Sequence, residues 1–200
     1  MKNRKRVKHD KAKRIKNKKI LKKYPFLAPV DWYGHKMSYK QHNYNFTVLM
    51  DIPRGWENLL LQFSEDIRPI LIKGNYLNEF YFLQAKEKYG RLELYSSSVP
   101  TSISKEVDRL ISDYGIMSEN VCIDCGSPYA KMCNVSWISP FCEKCFKKYY
   151  HNIDYNSVTK ENDIMDNTYK ITRWGNGNKT EEVIDISDKV AKIKSKWRVK

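Results

Sequence analysis

The sequence predicts an α+β fold: a helix–β-hairpin–helix core with an inserted four-cysteine zinc ribbon and a disordered or helical basic N-terminal arm. Three observations carry this. Two segments with apolar residues at helical spacing bracket two β-rich runs joined through a glycine, two C-x-x-C pairs stand 16 residues apart, and nearly all the net positive charge lies in residues 1–23. The expected boundaries are 1–23 for the arm, 24–118 for the core, 119–151 for the ribbon, and 152–200 for a linker and a C-terminal β-hairpin with a basic tail. A chain of 200 residues that is 41% hydrophobic and 13% aromatic can bury one modest core, which excludes a wholly disordered protein. No apolar run approaches the ~18 residues of a bilayer span, so no membrane partner is expected. Tyr24-Pro25-Phe26-Leu27-Ala28-Pro29 is too short and proline-broken for a secretory core, and a reducing cytoplasm is the expected compartment.

The arm holds 13 of the 37 basic residues, Lys2 among them, against one acid, Asp10, and so carries +12 of the net +14. Such density repels itself, and Val7, Ile15, Ile20 and Leu21 are its only large aliphatics. The arm is therefore expected not to fold alone and to be removable at little cost to the core. Phosphates are its natural counter-charge, because each one neutralised releases a condensed counterion. Nucleic acid, DNA or RNA, is the expected partner of Arg4, Lys5, Arg6, Lys8, Lys11, Lys13, Arg14, Lys16, Lys18, Lys19, Lys22 and Lys23. A solubilising tail and an anionic membrane surface are the competing readings. A second basic patch, Lys189, Lys192, Lys194, Lys196, Arg198 and Lys200, interleaves with Trp197, which is read as a packing residue.

Residues 24–50, aromatic without a sustained period, read as an irregular segment over the core. Asp51-Ile52-Pro53 then signals a helix start, and Trp56, Leu60, Phe63, Ile67 and Ile70 recur at helical spacing, with Pro69 expected to kink or end the helix. Phe80 to Lys86 and Arg91 to Tyr95 read as a hairpin around Gly90. Ser102 or Ser104 is expected to cap a second helix, with Val107, Leu110, Ile111 and Tyr114 inward and Gly115 as its stop. Residues 152–168 read as a linker, and Gly175-Asn176-Gly177-Asn178 as the turn of a last hairpin.

Cys122, Cys125, Cys142 and Cys145 are the strongest signal. Their C-x2-C-x16-C-x2-C spacing falls in the range of zinc ribbons, since two knuckles of two thiolates complete a tetrahedron around Zn²⁺. Iron–sulfur ligation and disulfides remain as alternatives. Four thiolates leave no open position, so the expected zinc is structural. Cys133 is left over as a spare thiol. Trp137 to Phe141 is expected to pack the ribbon on the body. Downstream, Lys147 and Lys148 beside Tyr149 and Tyr150 are candidate phosphate contacts, while Phe146 and Tyr150 read more simply as packing.

Taken together, Gly55-Trp56, Gln84-Ala85-Lys86-Glu87-Lys88-Tyr89-Gly90-Arg91-Leu92 and Cys122-x-x-Cys125-Gly126 resemble a group of uncharacterised small bacteriophage and prophage proteins with a K-E-K-[YF]-G-x-L hairpin and a four-Cys zinc ribbon. The resemblance spans roughly residues 24–150. It implies a phage origin and action in the cytoplasm of an infected bacterial host, and it transfers no catalytic residue.

His9, His35, His42 and His151 form no H-E-x-x-H pattern, and neither G-x-S-x-G nor a phosphate-binding glycine loop occurs. One nuclease-like half-motif exists, Gln84-x-Lys86 with Glu79 and Glu93, which reads more simply as cross-strand pairs on a solvated face. The expectation is a non-enzymatic phage zinc-ribbon protein binding nucleic acid or a nucleoprotein complex. The alternative is a host-takeover or anti-defence effector that inhibits a host protein by direct binding.

Overall fold

The computed structural model describes residues 15–31, 33, 35, 46–159, 168–175, 178–185, 187, 188, 191 and 195, the hairpin at 168–185 by its backbone. The elements are α1 (residues 15–23), α2 (Glu57–Lys73), β1 (Phe82–Lys88), β2 (Arg91–Ser96), α3 (Thr101–Ser118), β3 (Lys131–Asn134), β4 (Ile138–Phe141), α4 (Glu143–Tyr149), α5 (Tyr155–Val158), β5 (Thr168–Gly175) and β6 (Asn178–Asp185). Short 3-10 turns at Pro25–Leu27, Val48–Met50 and Arg54–Trp56 punctuate the first third. The strands form three separate antiparallel pairs, β1–β2, β3–β4 and β5–β6. The α+β class is as expected.

The core follows from the helical and alternating patterns. Leu60, Phe63, Ile67 and Leu71 of α2 meet Ile103, Val107, Leu110 and Tyr114 of α3, and Ala85, Leu92 and Leu94 face them from the hairpin. Phe26, from the irregular segment, closes the layer by meeting Phe80 and Phe82 edge-on at 5.6 and 6.1 Å. Edge-to-face rings satisfy the quadrupole of each partner while burying large apolar area. Between the helices, Tyr114 Oη donates to Asp66 Oδ2 at 2.6 Å, and burial together with that carboxylate pushes the phenol's pKa upward.

Several boundaries differ from the sequence reading. Helix α2 begins at Glu57, after a 3-10 turn, and continues through Pro69 to Lys73. Pro69 is exposed, as is Glu65, whose carbonyl would have accepted the missing amide, so the lost bond falls on the wet side while Ile67 and Leu71 hold the buried side. Helix α3 starts at Thr101 after Pro100, with no side-chain cap from Ser102 or Ser104, and runs past Gly115 to Ser118. Gly115 is a contact point and not a stop. A Cβ there would lie 2.9 Å from Arg91 Nε and 3.1 Å from the Leu92 carbonyl oxygen, so its absence lets β2 approach the helix. Ser118 Oγ, fully buried, then accepts the Leu92 amide at 2.7 Å and donates to the Gly115 carbonyl.

The last part of the basic arm is folded onto the core. Residues 15–23 are helical, Asn17 is buried, and Ile20 and Leu21 pack against the core cluster. Lys16 pairs with Glu57 at 3.7 Å and Lys23 with Glu65, both on α2. The expectation that everything up to residue 23 is dispensable to the core therefore fails, because two partly buried aliphatics leave with it. The expected linker also opens on a docked element: Tyr155 of α5 is buried and donates to the Phe141 carbonyl at 2.8 Å. The basic patch from Lys189 to Lys200 and Trp197 lie outside the described residues.

Candidate metal centre

The first knuckle begins four residues beyond α3. The Cys122 amide donates to the Ser127 carbonyl and the Gly126 amide returns to the Cys122 carbonyl, both at 2.8 Å. The loop closes this tightly because Gly126 takes φ +79°, a left-handed conformation that costs glycine little. The second knuckle is the N-terminus of α4. Cys142 precedes the helix, Cys145 sits in its first turn, and the Phe146 amide bonds the Cys142 carbonyl at 2.9 Å. The β3–β4 pairing, with Met132 opposite Pro140, brings the knuckles together, and the Ile123 amide locks onto the Pro140 carbonyl at 2.9 Å.

The four Sγ atoms all lie within 4.8 Å of one another, and those of Cys125 and Cys142 are 3.6 Å apart. A tetrahedral shell with metal–sulfur bonds of ~2.3 Å has sulfur–sulfur edges of about 3.8 Å, so the cluster is sized for one ion. Cys122, Cys142 and Cys145 are buried and Cys125 is exposed. Burial pushes the Cys142 thiol up to about 11 and raises Cys145 further. At Cys125 burial also acts upward, but the Ser127 amide and the neighbouring thiols outweigh it and hold the group below its ordinary value. Cys125 thus ionises more readily than an ordinary thiol, whereas Cys142 and Cys145 need a cation to do so.

The centre is riveted to the core by Gly55 and Trp56. The Gly55 amide donates to the Ile123 carbonyl at 3.0 Å, and a Cβ at Gly55 would sit 2.1 Å from the Cys122 carbonyl oxygen. Trp56, wholly buried, donates its indole N–H to the Val121 carbonyl at 2.9 Å. The sequence reading counted Trp56 in the stripe of the first core helix, whereas it ends the 3-10 turn before α2, and it gave Gly55 no role; a glycine before a large aromatic does not say what the pair touches. On its other side the ribbon packs on Phe146, Tyr150 and Tyr155. Cys133 belongs to that apolar cluster. Its thiol donates to the Lys131 carbonyl at 3.3 Å, burial raises its pKa, and it stands outside the four-sulfur group.

Among the described residues these four cysteines are the only group of three or more His, Cys, Asp or Glu side chains close enough to hold an ion. The half-motif at Lys86 gathers no such cluster: Lys86 lies opposite Glu93 with its Nζ 5.3 Å from the Tyr95 ring centre. Of the cations expected to meet phosphate, Lys18, Lys19 and Lys22 are exposed on α1, while Lys16 and Lys23 reach to α2. Lys147 bonds Glu143 at 2.5 Å, and Lys148 lies 3.6 Å from Asp124 and 4.7 Å from the Tyr149 ring centre. Phe146 and Tyr150 do pack, but with Cys133, Phe141 and Tyr155 on the ribbon side and not in the main core cluster of the body, where the simpler reading had placed them. Arg4, Lys5, Arg6, Lys8, Lys11, Lys13 and Arg14 lie outside the described residues. Trp137 does reach the body, stacking on Tyr89 and donating its indole N–H to Glu87 at 3.5 Å in the β1–β2 hairpin, though it stays 59% exposed.

The class this fold and site define is an α+β protein with a four-cysteine cluster suited to one metal ion. No family model, curated protein or solved structure matches the chain.

Proposed function

We propose that the cluster holds a structural Zn²⁺ and that the protein is a non-enzymatic binder of nucleic acid or of a nucleoprotein complex in a reducing cytoplasm. A shell of four thiolates suits zinc and fills its coordination, leaving no position for substrate or water. What carries the nucleic-acid reading is the placement of charge. Residues 1–23 hold +12 of the net +14, and α1 fixes the base of that segment on the core, with Lys18, Lys19 and Lys22 turned to solvent. A cationic segment rooted on a rigid body can engage phosphates at a defined distance from the ribbon.

The test measures zinc content together with binding of labelled oligonucleotides against salt concentration. The reading expects one zinc per chain and an affinity that falls steeply with salt, with a shallower slope when residues 2–14 are deleted. Equal binding and equal slope in the truncated protein would refute the role of the arm. A partner captured from cells that survives both nuclease and ~0.5 M salt would instead favour a protein-directed effector, since the Debye length is then about 4 Å.

A further inference from the structure

Two hairpin tips meet and leave their rings facing solvent. Tyr89 stands in the turn between β1 and β2, and Trp137 in the turn between β3 and β4. The rings lie 20° from parallel with centroids 6.4 Å apart, yet Tyr89 is 66% exposed. Large aromatics this open on a surface contribute little to folding and are characteristic of binding sites. The backbone adds an independent observation. Tyr89 has φ +52° and Gly90 has φ +81°. Positive φ at both central residues of a two-residue turn suits Asn-Gly, whereas a bulky aromatic in the first place is strained. The chain tolerates that strain at the one position that sets a ring over Trp137.

Cations flank the stack. Lys88 Nζ lies 5.8 Å from the Tyr89 ring centre, and the outward register of the hairpin continues through Lys86 to the exposed Tyr95. The nearby carboxylates already have partners, one of them at the stack itself. Glu87 accepts from the Gly90 amide at 2.6 Å and from the Trp137 indole at 3.5 Å, while Glu93 and Glu119 share Arg91 at 3.9 and 3.6 Å. Lys86 and Lys88 are left to the ring faces and to whatever anion approaches.

We propose that this face is a platform for the unpaired bases of a single-stranded nucleic acid. Tyr89 and Trp137, with Tyr95 further along the hairpin, stack on bases, and Lys86 and Lys88 meet the backbone phosphates. A duplex keeps its bases stacked on one another and offers these rings no face. The proposal rests on the nucleic-acid reading above and names the strand that reading leaves open.

The experiment compares full-length protein with Tyr89→Asn, Trp137→Ala and Trp137→Phe. Each is titrated with an oligothymidylate, an oligouridylate and a duplex of equal length at one salt concentration, and each is melted. Tyr89→Asn installs the preferred turn sequence, so its melting temperature should stay level or rise while single-strand affinity falls on the order of tenfold or more. Trp137→Ala should lose a similar factor, Trp137→Phe should retain most of it, and duplex affinity should not move. An oligodeoxyuridylate titrated beside them separates the sugar from the 5-methyl group, the other difference between the two single strands, and so identifies the preferred sugar. Should Tyr89→Asn melt lower and bind the single strands unchanged, the rings are only a structural staple and the platform is wrong, while arm-driven binding stands. Should the unaltered protein bind no strand even at low salt, the nucleic-acid reading itself fails and the platform with it. If Trp137→Ala does not fold, Tyr89→Asn decides alone.

Discussion

Adding one methyl at Gly55 would set it 2.1 Å from the Cys122 carbonyl oxygen and 2.5 Å from that of Ile123. Both are backbone atoms, so neither can swing aside, and the contact is relieved only by lifting the knuckle from the core. Gly55→Ala is expected to destabilise the protein by about 1–3 kcal/mol, the usual cost of overpacking, with part of the 3.0 Å bond from Gly55 to Ile123 lost as well. Chemical denaturation of the metal-loaded variant checks this, and an unchanged midpoint would show that the knuckle does not need this close approach. Residue-scale signals were unevenly readable. The cysteines declare themselves through spacing, whereas Gly55, Gly115 and Trp137 have environments set by partners 23 or more residues distant. Periodicity carries no record of such partners.

At the scale of elements, α1 separates two parts of the basic segment that composition merges. Its outer positions, Lys18, Lys19 and Lys22, face solvent, and Ile20 and Leu21 bind it to the core. Its ion pairs involve lysines that are more than half exposed, so they contribute little, and the apolar contacts dominate. Deleting residues 2–14 should leave the urea midpoint unchanged, whereas deleting 2–23 should lower stability by about 1–3 kcal/mol through those two side chains. Equal midpoints for both truncations would show that α1 adds nothing to the fold. The sequence reading placed both core helices and the hairpin but erred at their ends. Pro69 and Gly115 are breakers by intrinsic preference, and each is overruled by tertiary context: an exposed position for the proline, a neighbouring strand for the glycine.

For the whole molecule, the main core cluster contains none of the cysteines; Cys122, Cys142 and Cys145 belong to one smaller cluster and Cys133 to another, while Cys125 is exposed. Removing metal with a chelator should therefore melt the ribbon first and leave the α2–β1–β2–α3 core a separate transition at lower temperature. The pH dependence should reverse with metal. In the metal-free state Cys142 rises to about 11, above its ordinary value of 9.0, so its contribution is full below about 9 and is lost as pH rises through 11. Bound metal instead holds thiolates far below that value, and stability is then lost as pH falls. Thermal melts of both forms from about pH 5 to about pH 11 test the reversal; parallel profiles would mean that the thiols do not exchange protons for metal.

The sequence alone determined the α+β class and the four-cysteine cluster. Ligand spacing, helical and alternating periodicity and the bias of charge toward residues 1–23 are local along the chain and survive without coordinates. Tertiary structure alone decided where the ribbon is held, which lysines face solvent, and that Tyr89 and Trp137 meet face to face. Those facts depend on contacts between residues far apart in sequence, and the energy that selects them arises only when the separate elements pack.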